Sequence, residues 1–255
     1  MPRIIDSRLI AAFENRDSFS RNELFDFFKS FEPELKEGTL GWRIYDLKNR
    51  NIIKPVGRGM YTVSYKHLYR PQISDEISKI SKVLNKRYEA VKYCIWDTGW
   101  VNEFSQHQSF KKIIIIESEK EFMESLYFYM SDAFRYDLYL NPDDKAIDFY
   151  IPESNLPIVI NRLVSRSPIR KVTERKVKIP IPSLEKMLVD IFSDEKLLYA
   201  YQGSELKHIY ENAINKYSIN FTKLFSYARR RSKENEIKSF LSTNLMYLLQ
   251  DVIDV

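Results

Sequence analysis

Two short stretches of the chain combine residue types that could bind or transform nucleic acid. In the first, "NIIKPVGRGMYTVS", Arg58 lies between Gly57 and Gly59, with a short apolar run on either side. Two such runs around a glycine-flanked turn predict a β-hairpin, in which both glycines permit positive φ angles. The tip of this hairpin would present Arg58 to a phosphate or to the minor groove of DNA. A hairpin with a merely solvated tip is the alternative.

The second stretch, "WDTGWVNEFSQHQ", covers residues 96–108 and is rich in polar and aromatic side chains. Glu103 and His107 are four residues apart, so on a helix they would share a face and could act as an acid–base pair or as a structural hydrogen-bonded pair. We therefore identify Trp96, Asp97, Glu103 and His107 as a candidate polar site, without assigning a catalytic role.

A third set of residues lies in the basic run "NRLVSRSPIRKVTERKVK". If part of this run is a strand, alternation would place Arg170 and Lys176 on one face. Together with Arg166, they would form a second track for phosphate groups. A strand edge protected from aggregation by its cations is the alternative.

The patterns expected of nucleic-acid enzymes are missing. Gly203 and Ser204 are not followed by the Asp-x-Asp pair with which a nucleotidyltransferase holds two metal ions, and "IIIIESEKE" lacks the acid-x-lysine spacing of a nuclease. With one cysteine and three widely spaced histidines, no zinc site is expected. The sequence therefore predicts a protein that is not an enzyme and has no catalytic residues, cofactor or metal.

Composition restricts the class of protein. The chain has 255 residues, of which 44% are hydrophobic, enough for sizeable cores. Its net charge is +5, and residues 1–70 hold 13 basic against 9 acidic side chains, which is +4 of that total. Cys94, in the apolar run "YCIW", predicts a buried inert thiol and excludes an intrachain disulfide. No apolar run exceeds five residues, so we expect no membrane span and a cytoplasmic protein.

The front of the chain has the pattern of three helices followed by the hairpin. "IIDSRLIAAFEN" predicts the first helix, and Ser20 with Glu23 three residues later predicts a capping box at the start of the second, near Arg21. Thr39 is expected to cap the third helix, which would run to about Asn51. These elements predict a winged helix-turn-helix over residues 1–70.

The third helix would bury one face and offer the other to DNA. Leu40, Ile44 and Leu47 recur at helical spacing and should face inward. Trp42 then faces outward, to meet a thymine methyl group or a protein partner, unless it packs on the preceding turn. The predicted DNA contacts of helix and hairpin together are Thr39, Trp42, Arg43, Asn49, Arg50 and Arg58.

Residues 71–255 predict a second domain of mixed α/β type with helices at its C-terminal end. A connector is expected over residues 65–77, followed by alternating helices and strands, with strands at "YDLYLN" and "IDFYIP". From Ser183 onward the pattern is almost entirely helical. The whole chain is therefore expected to be α+β.

Three segments resemble the AbiEi-type antitoxins of bacterial type IV toxin–antitoxin systems: "FSRNELFDFF", "GTLGWRIYDLKNRNIIKPVGRGMYTV" and "IPIPSLEKMLVDIF". The resemblance implies an N-terminal winged helix and a larger antitoxin domain. It also implies repression of the protein's own operon and antagonism of a nucleotidyltransferase-type toxin. Within it, Thr39, Arg43 and Arg58 correspond to DNA contacts, and no catalytic residue is implied. The rear motif is matched by Glu185, Lys186 and Asp190.

The leading hypothesis is a DNA-binding transcriptional regulator, the antitoxin of a toxin–antitoxin pair. Its expected partners are double-stranded DNA, a cognate toxin and a second copy of the chain, with no membrane. The alternative is a nucleic-acid-acting enzyme whose winged helix delivers a catalytic domain centred on residues 96–108. A winged helix used only for protein contact is a third possibility, which Trp42 would suit.

Overall fold

The chain folds as a mixed α+β protein. A computed structural model describes residues 4–13, 16, 18–50, 52–63, 69–88 and 91–249, and these contain eleven α-helices and three β-sheets. Buried hydrophobic side chains form two clusters, one from residues 9–63 and the other from residues 69–245. We call the described residues 4–63 the head and the described residues 69–249 the body. The predicted connector lies partly outside the described residues, which omit 64–68.

The head consists of three helices and a small sheet. Its elements are α1 (Ile4–Phe13), β1 (Phe19–Ser20), α2 (Arg21–Lys29), α3 (Glu37–Asn49), β2 (Lys54–Gly57) and β3 (Met60–Thr62). The strands are ordered β1-β3-β2, with β3 antiparallel to both neighbours. Leucine and phenylalanine side chains from all three helices fill the space between the helices and the sheet.

The body is built on a four-stranded sheet, a separate hairpin and a C-terminal group of helices. Its strands are β4 (Tyr93–Asp97), β5 (Ile114–Ser118), β6 (Asp137–Leu140), β7 (Pro157–Arg162), β8 (Ile169–Glu174) and β9 (Val177–Pro182). Its helices are α4 (Asp75–Arg87), α5 (Met123–Ala133), α6 (Ile151–Glu153), α7 (Leu184–Ser193), α8 (Ser204–Lys216), α9 (Phe221–Arg230), α10 (Glu234–Asn244) and α11 (Met246–Leu249).

The four-stranded sheet has the order β4-β5-β7-β6. β4 runs antiparallel to β5, and β7 runs parallel to both β5 and β6. Its two central strands are isoleucine-rich and buried along most of their length, as expected for strands covered on both faces. β8 and β9 form a separate antiparallel hairpin, and β9 contacts both β4 and α4.

One predicted strand is wrong. "IDFYIP" forms a π-helical turn over Ala146–Tyr150 that continues into α6. The Asp143 side chain accepts a hydrogen bond from the Ala146 N–H at 2.8 Å, and its carbonyl accepts one from Ile147, so this turn begins as a capped helix. The β-branched composition of the segment was a weaker signal than the Pro-Asp-Asp sequence before it.

The other broad expectations for the body agree with the structure. "YDLYLN" contains β6, and the chain after Ser183 is mainly helical. The Cys94 thiol is fully buried in β4, and burial raises its pKa well above the ordinary value, so the thiol is held in its unreactive form. In the part of the chain described, no helix is both long enough and apolar enough to cross a bilayer.

Candidate nucleic-acid interface

The start of α2 is fixed by the predicted capping box. The Ser20 hydroxyl accepts the Glu23 N–H at 3.2 Å, and the Glu23 carboxylate accepts the Ser20 N–H at 2.7 Å. The hydrogen bond from the Ser20 N–H is the main cause of a lowered pKa of Glu23. Arg16, whose Nη1 atom lies 2.7 Å from Glu23 Oε1, lowers this pKa further. The turn entering α2 is therefore held by two reciprocal bonds.

Helix α3 has the predicted inner and outer faces. Leu40, Ile44 and Leu47 are buried in the head's core, whereas Trp42 is 76% exposed and so does not pack on the preceding turn. Tyr45 is 59% exposed and stacks edge-to-face against Trp42, with ring centroids 6.2 Å apart. Sequence analysis missed Tyr45, although its spacing of i+3 from Trp42 places the two rings on one side of the helix. The outer face is thus an aromatic pair open to solvent.

The predicted cap of α3 is wrong. The helix begins at Glu37, so Thr39 lies inside its first turn, and Lys36 occupies the cap position without a side-chain hydrogen bond. The first N–H groups of α3 therefore lack a side-chain cap. Thr39 itself is exposed beside them, as is Asn49 at the other end of the helix.

Two glycines near the start of α3 serve no packing purpose inside the molecule. A methyl group added at Gly38 or Gly41 would meet no atom within 4 Å. Glycine inside a helix costs about 0.5–1 kcal/mol relative to alanine. The structure therefore carries this cost without an internal reason, and a bare backbone surface adjoins the exposed aromatic pair.

Two of the predicted DNA-contacting arginines are engaged within the protein. Arg43 pairs with Glu32 at 2.5 Å and lies over the Phe28 ring, 4.8 Å from its centroid. Arg50 donates both of its terminal nitrogens to the buried Asp6 carboxylate and also pairs with Asp46 at 2.8 Å. The two arginine side chains remain 26% and 31% exposed, respectively.

The hairpin presents Arg58 as predicted. Arg58 is exposed at the tip, and the following residue, Gly59, has a φ of +72°, whereas Gly57 does not need the left-handed region. The Gly59 carbonyl accepts the Arg21 N–H at 2.7 Å, which ties the tip to the start of α2. β2 also contacts helix α9 of the body, so one side of the hairpin is braced while its tip stays open.

The predicted second basic track does not assemble. Arg170 lies on β8 opposite Ile181, and its Nε and Nη2 atoms are buried without a hydrogen-bond partner among the described residues, so burial lowers its pKa. Lys176 is exposed in the β8–β9 turn, and Arg166 is exposed in the connection before β8 with a φ of 56°. Arg170 and Lys176 therefore do not share a strand face as alternation suggested.

The predicted polar site is divided among structural roles. Trp96 is a core residue, and Asp97 accepts the Gly99 N–H at 2.7 Å to begin the 3₁₀ helix Thr98–Glu103. Burial raises the pKa of Asp97. Because the 3₁₀ helix ends at Glu103, Glu103 and His107 do not share a helical face, and the predicted pair does not form.

Each member of that pair bonds to a distant residue instead. The Tyr217 hydroxyl donates to Glu103 at 2.5 Å, which raises the pKa of Tyr217 to about 12. His107 Nδ1 lies 2.8 Å from Glu205 Oε1, and the backbone N–H of His107 donates to the same oxygen. Burial would raise the pKa of Glu205, but its bonds from His107 and Gln106 outweigh burial and lower it.

The rear motif forms a buried charge cluster at the centre of the body. Lys186 is fully buried, and its Nζ atom lies 2.6 Å from Glu117 on β5 and 2.5 Å from Asp190 one turn later on α7. Tyr227 of α9 donates its hydroxyl to Asp190 at 2.8 Å and accepts from Lys186 at 3.1 Å. We call Glu117, Lys186, Asp190 and Tyr227 the buried charge cluster.

The charges of this cluster are buried and paired with one another. Burial alone would lower the pKa of Lys186, but Asp190 and Glu117 outweigh it, so Lys186 stays protonated. Burial raises the pKa of Glu117, against the opposing effect of Lys186. Arg231, 3.7 Å from Asp190, adds a second cation at the edge. The arrangement suits structural charge pairing.

The third residue of the rear motif faces a different neighbour. Glu185 is buried and accepts the Asn220 N–H at 3.1 Å, with Lys223 at 3.8 Å. It therefore links α7 to the start of α9. Among the described residues, no group of three or more His, Cys, Asp or Glu side chains is placed to bind a metal ion.

Comparison with protein families identifies a match over most of the chain. The model of a family described as a family of unknown function, DUF6577, matches residues 39–247, which is 209 of the 255 residues. The match begins inside α3 and ends inside α11, so it includes the hairpin and the entire body up to that helix. No curated protein matches the chain significantly.

Proposed function

The chain belongs to the DUF6577 family, and we propose that it is a regulator that binds double-stranded DNA through its head. In this proposal the head is a winged helix-turn-helix, with α3 as the recognition helix and the β2–β3 hairpin as the wing. The supporting observation is that the outer face of α3 and Arg58 are both exposed, on a head whose inner faces form a packed core. A recognition helix and a basic wing bind the major groove and the adjoining backbone in this way.

The bare backbone at the start of α3 supports the same proposal. A DNA backbone can approach Gly38 and Gly41 closely because neither has a side chain, and the uncapped N–H groups of the first turn are oriented to bind a phosphate. Thr39 is placed to add a hydroxyl donor there. This contact would account for two helical glycines that internal packing does not require.

The predicted contacts then divide into two groups. Thr39, Trp42, Asn49 and Arg58 are exposed, and we propose that they contact DNA directly. Arg43 and Arg50 reach DNA only at the edge of their ion pairs, so we propose that they mainly hold α3 in place.

We further propose that the body binds a protein partner, the cognate toxin that the AbiEi resemblance implies. Phe110 is fully exposed and Tyr199 is 69% exposed. A cavity of about 180 Å³ is lined by Tyr199 and by Ser109 and Lys111, the two neighbours of Phe110 in the chain. Exposed aromatic side chains around a small cavity are typical of the anchoring points of protein interfaces. Because the candidate polar site is used structurally, we propose no enzymatic activity.

The DNA proposal is tested by binding to the DNA upstream of the protein's own coding sequence, measured by fluorescence anisotropy at several salt concentrations. Arg58→Ala should weaken binding to all duplex sequences and reduce the salt slope by about 0.9, the value for one phosphate contact. The control Arg135→Ala removes an exposed arginine of the body and should change neither quantity. Equal effects of the two substitutions would contradict the assignment of the wing.

Gly41→Ala separates a binding role of the bare backbone from a structural one. The alanine should stabilise the chain by about 0.5–1 kcal/mol, because it favours the helix and meets no neighbour. If DNA approaches this surface, the same substitution weakens duplex binding. Stabilisation without any loss of binding would place the DNA elsewhere.

The partner proposal is tested by co-purification with the product of the adjacent gene. Tyr199→Asp should abolish co-purification, whereas Phe128→Asp, an exposed residue of α5 outside the cavity lining, should not. Metal-dependent cleavage or nucleotide transfer that is lost in Glu103→Ala or His107→Ala would instead favour an enzyme.

A further inference from the structure

A basic groove runs between α4 and the β8–β9 hairpin of the body. It has a volume of about 1250 Å³. Its cationic lining includes six exposed lysines: Lys79, Lys82, Lys92, Lys171, Lys176 and Lys178. None of the six forms an ion pair with any residue that the structure describes. The groove therefore concentrates positive charge that the protein itself does not neutralise.

One wall of the groove is the outer face of α4. Lys79 and Lys82 are three residues apart and both exposed, whereas Ile77, Ile80 and Leu84 on the other face are fully buried. Packing of the apolar face against the body fixes the direction in which the lysines point. The cations are thus held on a rigid helix rather than on a loop.

The opposite wall is the hairpin, whose turn is strained. Lys171 is exposed on β8, and Lys178 is exposed on β9. The two turn residues, Arg175 and Lys176, both have positive φ angles, of 45° and 68°. Such a two-residue turn favours asparagine and glycine, and other residues are strained in this conformation. The chain therefore places two cations where neutral residues would be more stable.

Two contacts between α4 and the hairpin hold the walls of the groove together. Asn85 of α4 donates to the Lys178 carbonyl at 2.7 Å, and Arg175 pairs with Asp75 at 2.7 Å. These two contacts tie the helix to the hairpin near opposite ends of α4. Asp75 is the acidic side chain among the lining residues described, and it is occupied by Arg175.

We propose that this groove binds the phosphate backbone of a single-stranded nucleic acid. A concave, positively charged groove tracks a single strand of about 4–16 nucleotides, whereas a duplex requires a broader surface. Lysine binds phosphate as a point charge, which suits contact along a backbone without base recognition. Half-buried Tyr88 on the groove wall provides aromatic surface against which a base can stack. This site is independent of the duplex-binding role of the head.

The test uses the full chain and a labelled 12-nucleotide oligouridine, with oligothymidine and a blunt duplex as comparison probes, in fluorescence anisotropy. The groove variant Lys79→Glu/Lys82→Glu/Lys171→Glu should weaken binding of both single strands at least tenfold. Its salt slope should fall by about 2, because each single-strand phosphate contact contributes about 0.7. Far-UV circular dichroism checks that the variant is folded.

The matched control is Lys120→Glu/Arg135→Glu/Arg230→Glu, which changes net charge equally at exposed sites without ion pairs among the described residues. It should change single-strand binding less than twofold. Arg58→Ala should leave single-strand binding intact, so failure of the head's DNA role would not affect this result. An equal loss in both triple variants, or no binding of either single strand to the unaltered chain, would overturn the proposal.

A second variant tests the strained turn. Arg175→Asn/Lys176→Gly should raise the unfolding midpoint, because these residues adopt positive φ angles readily, while weakening single-strand binding several-fold. Competition by poly-glutamate as effective as that by oligouridine would identify the groove as a site for acidic protein and overturn the assignment to nucleic acid.

Discussion

The outer face of α3 and the buried charge cluster of α7 place polar and aromatic residues in opposite environments. On α3, Trp42 faces solvent and Arg43 remains partly exposed beside Glu32. On α7, Lys186 is fully buried between two carboxylates. Both helices were singled out by their side-chain chemistry, but of the two only α3 presents that chemistry to solvent.

The difference shows that a motif with charged residues does not identify a binding surface. An exposed ion pair contributes about 0–1 kcal/mol and is easily exchanged for a ligand. A buried ion pair cannot be exchanged for a ligand in this way, because removal of one partner leaves an uncompensated charge in the core. The charged residues of the rear motif are therefore held by the core of the body, whereas the outer face of α3 remains open to solvent.

Lys186→Met would have the largest effect, a destabilisation of about 3–5 kcal/mol, because Glu117 and Asp190 would remain buried without their cation. Urea denaturation monitored by circular dichroism measures this loss. The control Lys196→Met removes the exposed pair with Asp144 and should cost less than about 1 kcal/mol. Similar losses in the two variants would remove the distinction between the regions.

The triple variant Glu117→Gln/Lys186→Met/Asp190→Asn sharpens this result. It removes all three charges together, so it should be more stable than Lys186→Met alone. A triple variant that is less stable than Lys186→Met would show that the ion pairs add net stability, rather than only offsetting the cost of burying each charge.

Tyr227→Phe should destabilise by about 1.5–3 kcal/mol, because its hydroxyl bonds to the charged groups of Asp190 and Lys186. The ring itself stays packed, so the loss isolates the hydrogen bonds. Tyr199→Phe, at an exposed residue, is the control and should change urea stability little. No difference between the two would mean that the hydroxyl is not part of the cluster.

Ser20→Ala in the head should destabilise by about 1 kcal/mol through loss of the cap. Glu23 adds a pH dependence, because its pKa in the folded chain is below the ordinary value of 4.5. Its contribution is present above pH 4.5 and is lost as the pH falls through the folded-state pKa. The stability difference between the unaltered chain and Glu23→Gln should therefore shrink in acid, as urea titrations below pH 4.5 would show. A difference that grows in acid would contradict the capping box.

Trp42→Ala should have the smallest effect on stability, within about 0.5 kcal/mol, since the indole is 76% exposed. The same substitution at Trp96, in the core, should cost about 3–5 kcal/mol. Thermal unfolding of the two variants compares them directly. A large loss for Trp42→Ala would mean that its ring is packed rather than available to a partner.

The sequence predicted those features whose partners are close together in the chain. The capping box of Ser20 and Glu23 and the inward stripe of α3 both follow from local spacing. The pairing of Lys186 with Glu117 and of His107 with Glu205 could not be predicted, because these carboxylates lie far away in sequence and meet their partners only through tertiary folding. The cationic turn Arg175-Lys176 was hidden for another reason, since its residues do not favour the conformation that they adopt.

Helix α9 contacts both the buried charge cluster and the β2–β3 hairpin. Its ten residues span about 15 Å. Tyr227 of this helix donates its hydroxyl to the cluster, and the helix also contacts strand β2 of the hairpin. Helix α9 therefore connects the packed interior of the body to a hairpin at the surface of the head. A displacement of α9 would therefore change the packing at the buried charge cluster and at the base of the hairpin that carries Arg58 together.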